Sequence, residues 1–113
     1  MPRYCQILEL KDNPLLIAEY KQHHLNVWSE VVDFMGLCGI LSMEIYCHHN
    51  RLMMVMETDE QFSFEKMAQL GEHNNKIQEW ETLMWNYQQP LPHAPSGAKW
   101  MLMDKIYDLK TSI

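Results

Sequence analysis

A phenol, an imidazole and an indole stand four residues apart at Tyr20, His24 and Trp28. On a helix that interval returns side chains to nearly the same face. Imidazole titrates near neutrality and can donate from one nitrogen while accepting at the other. The phenol can donate to a neutral oxygen, and the indole gives a flat apolar wall with a single N–H. Together they suit proton transfer on a small neutral ring such as a sugar. Alone, a histidine on an apolar helix face usually reads as a core residue, and the aromatic groups one turn either side argue for a site. Trp80 can supply a second wall, although an ordinary core tryptophan fits its spacing equally well. Glu9, Glu44 and Glu57 all fall in strand-like stretches, so one buried carboxylate could orient the imidazole.

Other chemistries find little support. The doublets His23–His24 and His48–His49 cannot each grip one ion, because neighbours diverge by about 100° on a helix and point to opposite faces on a strand. There is no glycine-rich phosphate loop, HExxH or CxxC pair, which argues against nucleotide chemistry and bound metal. A formal charge of −6 without a basic cluster excludes nucleic acid and leaves a neutral small molecule or a protein as partner. No apolar run approaches the ~18 residues of a membrane span. The first residues lack the basic-then-apolar pattern of a signal peptide. With three unpaired-looking cysteines, a reduced cytoplasmic setting is expected. The ten methionines read as packing and interface residues rather than a metal relay.

The elements that must position these groups follow from periodicity. Residues 13–35 are expected to form one long helix with Asn13 as N-cap and Pro14 in its first turn. Its inward face is Ile17, Tyr20, His24, Val27, Trp28, Val31 and Met35, and Gly36 and Gly39 stop it. Strands are expected at 3–10, 39–47, 51–57 and 100–107. In the second, Leu41 shares a face with Met43, Ile45 and Cys47. Residues 48–51 make a tight turn with Asn50 at positive φ. Helices are expected at 62–70, ending before Gly71, and at 74–87. The proline-rich stretch 88–99 is expected to be a loop. The order β-α-β-β-α-β predicts an α+β, ferredoxin-like fold with a four-stranded antiparallel sheet and helices on one face. Residues 1–113 read as a single domain. The other sheet face is expected to be rich in Met, Leu and aromatics, and hence to bury itself in a homodimer of the dimeric α/β-barrel type.

These residues resemble the L-rhamnose mutarotase family. The likeness rests on Tyr20-x3-His24-x3-Trp28 followed by Glu30, on Gly39-Ile40 leading to Ile45-Tyr46, and on Asn50-x-Leu52 with Glu57. Trp80-x3-Met84 and the proline loop before the last strand extend it over essentially the whole chain. The resemblance implies a small dimeric protein that interconverts the α and β anomers of 6-deoxy sugars without a cofactor. It places the catalytic histidine and tyrosine on His24 and Tyr20, and substrate-binding aromatics on Trp28 and Trp80. Two departures stand out: Glu79-Trp80 where relatives often have adjacent tryptophans, and Asn26-Val27 where a proline is common. They open L-fucose as well as L-rhamnose as substrate. The competing expectations are a cofactor-free monooxygenase-like protein and a non-catalytic ligand-binding dimer of the same fold.

Overall fold

Cross-strand register builds the sheet outward from the first strand. The computed structural model describes residues 1–110. Strand β1 (Arg3–Leu10) runs antiparallel to β3 (Arg51–Thr58), from Arg3 opposite Glu57 to Glu9 opposite Arg51. Strand β2 (Ile40–His48) flanks β3 on its far side. The other edge of β1 is shared by two short pieces, β4 (Gln88–Gln89) against Glu9 and Leu10, and β5 (Met101–Leu102) against Gln6 and Ile7. The strand order β2-β3-β1-β4 is the one a ferredoxin-like, α+β fold requires.

The fourth strand therefore differs from expectation. Residues 100–107 pair only at Met101–Leu102, and Gln88–Gln89, expected to be loop, supply the missing half. Pro90 and Pro92 have no N–H to give to the ladder, so the chain leaves β1 after Gln89 and returns at Met101.

The single helix over residues 13–35 is two: α1 (Pro14–His23) and α2 (Ser29–Cys38), joined through residues 24–28. An unbroken helix of that length would span ~35 Å, whereas the strands beneath it, of eight or nine residues, reach only ~30 Å. The break lets α1 bury Tyr20 while α2 buries Val31, Phe34 and Cys38. The expected start holds. Asn13 Oδ1 accepts from the N–H groups of Leu15 (2.9 Å) and Leu16 (3.3 Å), with Pro14 in the first turn. Gly39 makes the stop at φ 96°, and a Cβ there would lie 2.5 Å from the Asp59 carboxylate. Gly36 stays inside α2.

Two local expectations shift. A bulge between Ile40 and Ser42 puts Ile40 in the core with Met43 and Ile45 and leaves Leu41 57% exposed, reversing its expected face. In the turn, His49 takes the positive φ (52°), while Asn50 Nδ2 donates to the Leu10 carbonyl at 3.1 Å. Helices α3 (Phe64–Glu72) and α4 (Asn75–Trp85) are capped by Ser63 and Asn74. Gly71 is buried within α3 rather than ending it.

The core lies between helices and sheet, with Leu10, Leu52, Met54 and Met56 clustered with Val31, Phe34, Ile77 and Met84. The opposite sheet face is less apolar than expected. Its Ile7, Met53, Val55 and Tyr46 are flanked by the ion pairs Arg3–Glu57 (3.0 Å) and Arg51–Glu9 (3.1 Å). The sheet methionines Met43, Met54 and Met56 face the helices instead. Among the described residues no helix is long and apolar enough to cross a membrane.

Candidate active site

The helix break creates the site. Where α1 stops, the N–H of His24 turns to the Lys21 carbonyl (3.1 Å), and the Tyr20 carbonyl loses its ordinary helical partner. The His24 side chain takes that place, with Nδ1 2.9 Å from the Tyr20 oxygen. A carbonyl only accepts, so Nδ1 carries the proton and Nε2 keeps a bare lone pair. Burial lowers the His24 pKa from 6.5, against the raising effect of that carbonyl, and neighbouring His23 lowers it further. At neutral pH the ring is an uncharged base.

Tyr20 has the opposite character. It is 4% exposed, and its phenol is pushed up to about 12, chiefly by burial, with the Gln88 hydrogen bond working against the rise. Gln88 Nε2 donates to Tyr20 Oη at 3.3 Å, so the phenolic proton is left for another acceptor. The two rings lie 4.4 Å apart. A proton donor and a proton acceptor are thus side by side.

Both face a cavity of about 180 Å³ between the sheet and the helices. That is below the ~300–1,000 Å³ of sites for drug-sized ligands and suits one small ring. Trp80 lines it, its ring 5.8 Å from His24. Trp28 does not line it: the indole stands behind Trp80 at 5.2 Å, edge to face, with Lys76 Nζ 5.8 Å from its ring centre. Tyr20, His24 and Trp80 therefore meet at the cavity, while Trp28 holds Trp80 in place.

No strand carboxylate orients the imidazole. Glu9 and Glu57 are paired with Arg51 and Arg3 on the far side of the sheet, where Glu44 also projects. The His23–His24 doublet diverges as expected, since His23 Nε2 meets the Tyr87 hydroxyl at 3.1 Å instead. Among the described residues no three His, Cys, Asp or Glu side chains cluster to hold a metal.

Five polar or aromatic lining residues escaped sequence reasoning: Gln6, Phe64, Glu81, Gln88 and Trp100. Gln6 had a signal, being the polar member of an otherwise inward-facing series Tyr4, Gln6, Leu8, Leu10. Glu81 is paired with Lys99, whose Nζ lies 4.9 Å over the Trp85 ring, so the proline loop is tied to α4 beside Trp100. Six of the ten methionines line the cavity, giving it soft, adaptable walls.

The family model described as L-rhamnose mutarotase matches residues 3–109. The chain belongs to the L-rhamnose mutarotase family. Members of this family are carbohydrate isomerases, and the chain is a sugar mutarotase. It is similar to an L-fucose mutarotase of Xanthomonas campestris pv. campestris, 36% identical over 115 residues, which cover 100% of this chain and 92% of that one. A UPF0734 protein of Dictyostelium discoideum is also 36% identical, over 94% of this chain and 88% of its own. Among solved structures, an L-rhamnose mutarotase from Formosa agariphila superposes with a TM-score of 0.70 at 15% identity, covering 96% of this chain and 98% of that one. Tetracenomycin F2 cyclase from Streptomyces glaucescens superposes at 0.61, also at 15% identity, with the same coverage. At such identities these two likenesses speak for the fold alone.

Proposed function

We propose that this mutarotase acts on a 6-deoxyhexose, L-rhamnose or L-fucose, and that His24 and Tyr20 move its protons. The reading rests on one observation: a buried, protonated phenol and a neutral imidazole with a bare Nε2 adjoin in one small cavity. His24 Nε2 takes the proton of the anomeric hydroxyl as Tyr20 Oη donates to the ring oxygen. The bond between anomeric carbon and ring oxygen breaks, and the anomeric carbon becomes an aldehyde. After rotation about the adjacent carbon–carbon bond, the freed hydroxyl attacks either face of the carbonyl. Its proton returns to Tyr20, and His24 returns its own to the anomeric oxygen. Each group ends as it began, so the cycle uses only protein groups. Positioned acids and bases are typically worth 10²–10⁴-fold. Trp80, backed by Trp28, carries the apolar face of the pyranose.

The chain is read as one mutarotase domain, cytoplasmic, and paired through the outer sheet face. Ile7, Met53, Val55 and Tyr46 would meet across a two-fold axis, with the flanking ion pairs at the rim. Saturation-transfer NMR across L-rhamnose, L-fucose and their hydroxylated parents tests the substrate. Enhanced exchange of a 6-deoxy sugar is expected, and exchange at the spontaneous rate for every sugar would sink the proposal.

A further inference from the structure

Gln6 sits in the middle of β1, 8% exposed, and lines the same cavity as Tyr20 and His24. Its cross-strand neighbours are Met54 and Leu102, which give an amide nothing to bond. The cavity's other carboxamide, on Gln88, is committed to Tyr20. Among the described residues the Gln6 side chain has no hydrogen-bond partner, yet no sealed side-chain nitrogen or oxygen is left unpaired. Its amide atoms therefore open on the cavity's free space. A buried amide without a partner destabilises a fold, and Leu or Met would pack this inward position better. What satisfies Gln6 must enter the cavity.

We infer that Gln6 reads a ring hydroxyl of the bound sugar, other than the anomeric one, and so sets which deoxyhexose is accepted. A carboxamide offers one acceptor and two donors without charge. That matches a hydroxyl, which both donates and accepts, and disfavours a carboxylate or phosphate. A site built to bond a hydroxyl discriminates strongly against a ligand lacking it. The inference rests on the mutarotase reading above, and Gln6 is a substrate-positioning residue that takes no part in the proton transfers.

The test measures anomer exchange against sugar concentration for wild type, Gln6→Met and Gln6→Leu. The sugars are L-rhamnose, L-fucose and their 2-, 3- and 4-deoxy derivatives. For the accepted parent sugar, KM should rise about tenfold in both variants, the worth of one lost neutral hydrogen bond, with kcat nearly unchanged. One deoxy derivative should show the same loss in wild type and no further loss in the variants. An unchanged KM in either folded variant overturns the inference, as does an equal loss on every derivative. Folding is checked by thermal melting, and two replacements of different shape guard against one failing to fold. Wild type with no enhanced exchange on any sugar removes the mutarotase reading and Gln6 with it. Wild-type exchange with an unchanged variant KM removes Gln6 alone.

Discussion

His24→Ala separates chemistry from folding, because the imidazole performs two tasks of different size. Its Nε2 serves as the base, and losing a positioned base should lower exchange by about 10²–10⁴-fold. Its Nδ1–H bonds the Tyr20 carbonyl at 2.9 Å. Losing one neutral hydrogen bond costs about 1 kcal/mol. The ring also packs 4.4 Å from Tyr20 and 5.8 Å from Trp80 and is only half-buried, so lost packing adds a similar amount. A total near 2 kcal/mol would lower Tm by roughly 5–15 °C for a domain of this size, leaving the variant folded at room temperature. Saturation-transfer NMR on the anomeric protons gives the rate, and far-UV circular dichroism confirms the fold. Added imidazole, entering the vacated space, should restore part of the exchange. A folded His24→Ala protein within about threefold of wild type, against the 10²-fold minimum expected of a base, would refute the assignment.

The other predictions follow from the same geometry. Because burial holds the His24 pKa below 6.5, kcat/KM should stay level down to that pH and fall only in more acid solution; a midpoint above 6.5 would contradict the neutral-base role. The unfolded chain binds more protons at His24 in that acid window. Its stability contribution is thus complete above about 6.5 and declines as pH drops, which acid-limb thermal melts would detect. Tyr20→Phe should cut exchange by about 10²-fold or more and cost about 1–3 kcal/mol, since it strands the Gln88 amide; chemical denaturation and NMR check the two effects. Gly39→Ala should destabilise by about 1–3 kcal/mol in urea titrations, through left-handed strain and collision with Asp59, while leaving KM unchanged.

Alternation made the sheet legible from the chain, down to both ends of β1. The split of the first helix was not legible. The run from Tyr20 through His24 to Val31 keeps three- and four-residue steps straight across the break, so periodicity records a shared face and is blind to a turn that preserves it. The same blindness placed Trp28 on the cavity, when the turn sets it one layer behind Trp80. The fourth strand escaped because only two residues of each half pair with β1. That Met54 and Met56 line a hollow beneath the helices was not legible either, because which sheet face is covered by helices and left open as a cavity is a tertiary fact.

The divided edge strand gives this fold a replaceable roof. The excursion from Pro90 to Trp100 is bounded on each side by its own short pairing, so residues can be gained or lost between them while the register of Gln89 and Met101 on β1 stands. Trp100 and the Lys99–Glu81 tether ride on that excursion, whereas Tyr20, His24 and Gln6 belong to the fixed frame. Changes in the size and shape of the cavity's roof can therefore accumulate in the loop without touching the proton-transfer groups, Gln6 or the sheet.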